Sequence, residues 1–300
     1  MTGATIAKIE RSFQDAGVFG CLHATDLHDR SREVSFQADE QVVLASVFKL
    51  PLAVAFARMV DAGEIDPLAT TTFDPAQRTP GSTGIAAMTD PVTLSWRDAV
   101  RSMMTVSDNA AADALFDLVG ASRISAMLAD IGLTATRVVG GTRDLYASLV
   151  DDFGSASLDE AIRHVQNAAT LSELSTFDAG RAANNVGTCL DMTKLLEAVW
   201  QDRAASSEQC AFLRSVMAQQ VWTQRLAAAF PFDDVVVSGK TGTFVALRHE
   251  CGVVEYPNGE AYAIAVFTLS TRGRLILPSA DASIAHAAKL AVAALRHPAR

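Results

Sequence analysis

Apolar residues recur along this chain with two different periods, and the changes of period divide it. Ile6, Ile9 and Phe13 repeat at helical spacing with Lys8, Glu10 and Arg11 between them, which predicts an amphipathic first helix. GVFGCLHATDL and REVSFQAD read as two short strands joined by the polar turn around His28 to Ser31. From Ser46 to about Met217 the pattern is helical, punctuated by residues such as Pro80, Gly84, Pro91, Gly120, Gly132 and Gly140. Three helix starts carry side chains suited to accept the free N–H groups of a first turn. These are Thr93 or Ser95 before WRDAVRSMM, Ser157 with Glu160, and Thr188 before LDMTKLLEAVW with Asp191 three residues on. Strand-rich sequence returns in DDVVVSG, HECGVVEY and AYAIAVFTLS, and an Ala-rich helix from about Ser279 to Arg296 closes the chain.

Strand-forming sequence at both ends therefore brackets a helical middle. Sequential antiparallel strands at each end need a common partner, so the economical packing is a two-lobed α/β (α+β) fold with one antiparallel sheet built from both chain ends and flanked by the terminal helices. Residues 1–45 and 218–300 are assigned to this α/β lobe and 46–217 to an all-helical lobe, with the crevice between them as the expected site.

Composition narrows the chemistry. The 25 Lys and Arg against 34 Asp and Glu leave a net charge of −9, without the basic footprint that neutralises phosphates, so nucleic acid is not an expected partner. The longest apolar stretches, such as LPLAVAFA at 50–57, fall short of the roughly 20 residues that span a bilayer, so no membrane association is expected. The start, MTGATIAKIERSFQDAG, lacks the continuous apolar segment of a secretory signal. Cys21, Cys189, Cys210 and Cys251 are scattered without a CxxC pair or neighbouring histidines. That pattern fits reduced thiols in a cytoplasm and no metal site.

Three short motifs carry candidate chemistry. Ser46-Val-Phe-Lys49 places a hydroxyl and an amine at i and i+3 on one helical face, where a lysine of lowered pKa can take the serine proton. Ser107-Asp108-Asn109 lies between two helical segments. There Ser107 is suited to relay a proton, Asn109 to hold Lys49 or a substrate amide, and Asp108 to brace the loop. Lys240-Thr241-Gly242-Thr243 follows the apolar run Val235 to Val237. A phosphate-binding P-loop would need glycine where Asp234 stands and a helix where FVALRHECGVV reads as strand, so no nucleotide or other cofactor is expected. On a strand, Lys240 instead offers a cation to an anionic group, and Gly242 admits close backbone approach.

Average residue usage gives only ~0.05 chance occurrences each of S-D-N and K-T-G in a chain of this length, and all three motifs occur in order. The set is the signature of class A β-lactamases and penicillin-binding proteins. The chain resembles the class A β-lactamase-like serine hydrolases over nearly its whole length, including SVFKLP, TPGSTGI, TVSDNAAADALFD, QRLAAAFP and SGKTGT. By matched position, the resemblance implies Ser46 as the acylated nucleophile and Lys49 as its proton acceptor. It further implies Ser107 and Asn109 as a second wall, Lys240, Thr241 and Thr243 as a strand for a substrate carboxylate, and the N–H groups of Ser46 and Thr243 as the oxyanion hole. Arg248 is a further anion-binding candidate.

One departure bears on turnover. The E-x-x-L-N segment whose glutamate activates the releasing water in efficient class A enzymes is missing: TRVVGGTRDLYASLVDDFG holds no glutamate before Glu160. Asp144 is the first candidate to substitute, with Asp151 and Asp152 behind it. The expected function is hydrolysis of a β-lactam or related amide in a small carboxylate-bearing substrate through acyl-Ser46. A cytoplasmic ester, amide or peptide acyl-transfer enzyme, and a penicillin-binding protein that acylates with little turnover, are the alternatives.

Overall fold

The computed structural model describes residues 3–168, 171 and 173–297. Helix α1 (Gly3–Ala16) leads into strands β1 (Val18–Asp26) and β2 (Glu33–Phe36). The chain leaves through β3 (Val42–Val43) and a 3-10 turn, Ala45–Phe48, which runs directly into α2 (Lys49–Asp61). Strands β4 (Thr70–Phe73) and β5 (Val92–Ser95) precede α3 (Trp96–Thr105), α4 (Asn109–Val119), α5 (Ala121–Ile131), α6 (Thr142–Phe153) and α7 (Leu158–Asn167). Then come β6 (Val186–Gly187), α8 (Cys189–Trp200), α9 (Ser207–Met217) and the single turn α10 (Leu226–Ala229). Strands β7 (Val236–Phe244), β8 (Leu247–Glu255) and β9 (Ala261–Ser270) lead to α11 (Pro278–Arg296).

The main sheet runs β2-β1-β9-β8-β7, antiparallel throughout, so it is built from both chain ends as the strand patterns predict. Strands β8 and β9 are buried along almost their whole length, which is why they read as continuous apolar runs rather than alternating ones. On one face lie α1 and α11, with Ile9, Phe13 and Ile284 against Leu22 and Val266. On the other face Cys21, Val253 and Phe267 join a core that also holds Leu50 and Val54 of α2 and Met192 and Leu195 of α8. The helical region therefore has no separate core but continues from the sheet. Close layering needs Gly20, because a Cβ there would stand 2.5 Å from the Phe13 ring.

The predicted starts hold as caps: Ser95, Ser157 and Thr188 accept the N–H groups of Asp98, Glu160 and Asp191. The middle is not purely helical, however. It carries two small antiparallel ribbons, β3 with β6 and β4 with β5. Strands β3 and β6, of two residues each, are too short for a period of two to register in sequence. No helix among the described residues is long and apolar enough to cross a membrane.

Candidate active site

Ser46 lies in the 3-10 turn and Lys49 opens the regular helix, so the S-x-x-K pair spans a 3-10 to α junction rather than one face of a regular helix. Ala45, at φ 44°, turns the chain out of β3. Regular α-helix then begins at Lys49. Pro51 thus falls in the first turn of α2, where the N–H that proline lacks has no intrahelical partner anyway. Ser46 is half-buried, and Lys49 beneath it is fully buried. Lys49 Nζ is hydrogen-bonded to Ser107 O (2.8 Å), Asn109 Oδ1 (2.8 Å) and Ser107 Oγ (3.3 Å), which fix the amine between the Ser46 turn and the second wall.

Asp108 braces this second wall. Fully buried, it caps α4 by accepting from the N–H groups of Ala110 and Ala111. It also accepts from those of Ile85 and Ala86 and from the Ser102 hydroxyl. The tripeptide is therefore both a helix cap and a carrier of functional groups, because the cap residue holds its two neighbours toward Lys49. Ser107 is held at φ 59°, a strained conformation for a non-glycine residue that the surrounding bonds enforce.

The third element is β7, the edge strand of the sheet. Buried Lys240 donates to Ser107 Oγ (3.0 Å) and Thr241 O (2.8 Å). The Ser107 hydroxyl is thus shared by two lysines from different parts of the chain. Thr241 N–H donates to Gln220 Oε1 (2.7 Å), away from β8. N–H directions alternate along a strand, so Thr243 N–H faces the same open edge. A Cβ on Gly242 would stand 2.9 Å from Leu44 O and 3.0 Å from Val47 Cγ2. The glycine is needed for β7 to approach the Ser46 turn, which replaces the sequence expectation that it admits substrate backbone.

Ser46, Ser107, Asn109, Tyr146, Thr241 and Thr243 line one open cleft of about 400 Å³. Burial pulls the Lys49 pKa down to about 7, against the opposing pull of Asp108 and Asp113. Burial and then the neighbouring Lys49 lower that of Lys240 as well. Near neutrality Lys49 is therefore available as a neutral amine. Glu250, behind β7, is pushed up to about 7 by burial and accepts from Gln220 Nε2 and Leu226 N–H. Gln220 thereby ties Thr241 to Glu250.

Two expected residues do other work. Arg248 borders the cleft, but its Nη atoms donate to the carbonyls of Val245, Leu247, Arg274 and Leu275, and its Nε lies 3.8 Å from Asp281. Both Nη atoms are thus engaged by backbone carbonyls and Asp281 lies beside Nε, which corrects its assignment as an anion ligand. Asp144 accepts from Gly141 N–H (2.7 Å) at the start of α6 and faces a separate cavity of about 320 Å³ that also includes Asp151 and Arg181. Asp152 holds Ser175 and Thr176. None of the three aspartates lines the Ser46 cleft among the described residues, which corrects Asp144 as a releasing base. The carboxylate that does line it, Asp281, is paired with Arg225 at 2.6 Å.

Sequence reasoning missed Arg225 and Tyr146. Arg225 is buried and spans the back of β7, donating to Gly242 O, His249 O and Thr243 Oγ1. Its sequence signal was a lone arginine at the head of an apolar segment. Tyr146 Oη accepts from Asn109 Nδ2 (2.7 Å), and its ring stacks on Phe244. Among the described residues no group of three or more His, Cys, Asp or Glu is placed to hold a metal.

Comparison with known proteins gives the family and the fold. Residues 4–295 match the model of the Beta-lactamase enzyme family. The Beta-lactamase regulatory protein BlaB of Streptomyces cacaoi is 31% identical over 299 residues, covering 95% of each chain. Among solved structures, a β-lactamase from Sphaerobacter thermophilus superposes with a TM-score of 0.79 at 21% identity, covering 99% of this chain and 98% of that one. PBP-A superposes at 0.75 and 18% identity, covering 96% and 94%. At these identities the two superpositions establish the shared fold.

Proposed function

Because the chain belongs to the Beta-lactamase enzyme family, we propose that it opens a β-lactam or related amide through an acyl ester on Ser46. The observation that carries this reading is the Ser107 hydroxyl held between Lys49 (3.3 Å) and Lys240 (3.0 Å) in the cleft that Ser46 enters.

In this mechanism the neutral Lys49 amine takes the Ser46 proton as Oγ attacks the carbonyl carbon. The N–H groups of Ser46 and Thr243 receive the oxyanion; preorganised donors of this kind contribute about 2.7 to 4 kcal/mol each. When the C–N bond breaks, Ser107 gives its proton to the leaving nitrogen and regains one from Lys49. The substrate is a small molecule with a carboxylate, received by Lys240, Thr241 and Thr243, whose hydroxyl Arg225 fixes. A reducing, cytoplasmic setting is supported by the four free thiols, two of which, Cys21 and Cys189, lie 3.3 Å apart without a disulfide.

Release is slow in this reading. A base placed for acylation need not reach the second water, and the cleft's carboxylate among the described residues, Asp281, is committed to Arg225. A long-lived adduct suits a sensor, and the regulatory relative supports that role over rapid hydrolysis. Intact-protein mass spectrometry after exposure to benzylpenicillin tests both steps. The expected result is a single adduct that persists for minutes or longer and is absent in Ser46→Ala. No adduct rejects the acylation reading, whereas an adduct followed by fast return to native mass, with turnover, rejects slow release.

A further inference from the structure

Away from the Ser46 cleft, two thiols stand against each other in the core. Cys21 lies in β1, opposite Phe267 of β9, and Cys189 is the first residue of α8. Their Sγ atoms are 3.3 Å apart although 168 positions separate them in the chain. Both sides of the contact are fixed. Cys21 Sγ also reaches Phe267 O at 3.8 Å. Across from it, Thr188 caps α8, and Asp191 in the same first turn accepts from Ala135 N–H (3.1 Å) and Thr136 Oγ1 (2.9 Å). These bonds set the start of the helix, and with it the Cys189 thiol.

The two thiols differ in access. Cys189 is fully buried, whereas Cys21 lines a cavity of about 220 Å³. Exposed Phe19 and Gln41 stand at its mouth, and Val42, Val43, Leu247 and Leu269 give it apolar walls. His249 also borders the cavity, but its Nδ1 accepts from Thr268 N–H (3.0 Å), which leaves Nε2 to donate to Val43 O (3.0 Å). The imidazole is thus committed to backbone, and the Cys21 sulfur is the nucleophile that a small apolar molecule meets there. Burial pushes the Cys189 thiol up, so it stays protonated behind Cys21.

We propose that Cys21 and Cys189 form a redox site that is oxidised to a disulfide by a small organic hydroperoxide entering this cavity. The Cys21 sulfur attacks the terminal oxygen of the hydroperoxide and the O–O bond breaks. The alcohol leaves with the thiol proton, and Cys21 carries a sulfenic acid. The Cys189 sulfur then attacks Cys21 Sγ, and its proton departs with the hydroxyl as water. Two thiols become one disulfide while the hydroperoxide is reduced to an alcohol and water. Closing the 3.3 Å contact to a bond requires an approach of about 1.3 Å. This site is independent of the acylation reading.

The test treats the folded, fully reduced chain with tert-butyl hydroperoxide and follows it by intact-protein mass spectrometry and non-reducing peptide mapping. The expected product has lost about 2 Da, links the Cys21 and Cys189 peptides, and reverts with dithiothreitol. Cys210 and Cys251, buried outside the cavity, should stay reduced and so report that the chain has not unfolded. In Cys189→Ala, dimedone should trap a sulfenic acid on Cys21, whereas Cys21→Ala should leave Cys189 unmodified. Rates normalised to those of free cysteine should favour tert-butyl hydroperoxide over hydrogen peroxide by about fourfold or more, the effect of burying one or more methyl groups. No disulfide, a bridge that includes Cys210 or Cys251, or dimedone on Cys189 in Cys21→Ala overturns the proposal. A normalised ratio of one or below overturns the cavity as the site that receives the oxidant.

Discussion

Lys49 offers the sharpest prediction, because its burial fixes both a rate and a stability. Its pKa of about 7 in the folded chain compares with 10.5 for a free lysine, a difference equivalent to about 5 kcal/mol. The depressed value means that the unfolded chain binds more protons than the folded one between these limits, so stability rises with pH across that window. Below about pH 7 the cost of burying the charged amine is present almost in full; between pH 7 and 9 about 2 kcal/mol of it is relieved. Urea unfolding of the wild type and Lys49→Met at both pH values cancels the titration of groups remote from Lys49, while Lys240, whose pKa the Lys49 charge lowers, belongs with Lys49 to the part that is read. The wild type should gain about 2 kcal/mol more than the variant on going from pH 7 to 9. Acylation should follow the neutral amine, about half of the molecules at pH 7 and about 1% at pH 5, and should fall about 10²- to 10⁴-fold in Lys49→Met. An acylation rate that is flat from pH 5 to 8, or a variant within tenfold of the wild type, refutes the assignment of Lys49 as base.

Other substitutions separate the roles of neighbouring groups. Gly242→Ala sets a methyl against Leu44 O and Val47, so it should cost about 1–3 kcal/mol in urea unfolding and slow acylation by displacing the Ser46 turn. Asp108→Ala leaves several buried N–H groups without an acceptor and should destabilise by about 3 kcal/mol or more, read as a lowered Tm. Asp144→Ala removes only the acceptor for Gly141 N–H; it should cost about 1 kcal/mol and leave the lifetime of the Ser46 adduct within about twofold. A large change in that lifetime would return Asp144 to the release step.

Legibility in the sequence followed the range of the interaction. The caps at Ser157 and Thr188 and the apolar strands β8 and β9 depend on neighbours a few residues away, and they read correctly. The two-residue strands β3 and β6 did not, because their pairing joins positions more than 140 residues apart and leaves no local period. The same division runs through the site. S-x-x-K, S-D-N and K-T-G were visible as strings, and Asp108 was legible as the brace of its loop. Arg248 and Asp144 were misplaced because a charged residue's type says nothing about which carbonyl or N–H group will claim it.

The amino-acid order by itself determined the sheet drawn from both ends, the family resemblance and the residue types available for acyl transfer, since local patterning and motif order survive without coordinates. Packing alone decided that Lys49 and Lys240 meet on one hydroxyl, that Gly242 makes room for the Ser46 turn, and that Asn109 is held between Lys49 and Tyr146. Those outcomes depend on burial and on which partner occupies each lone pair and hydrogen, quantities that exist only once distant segments share the same space.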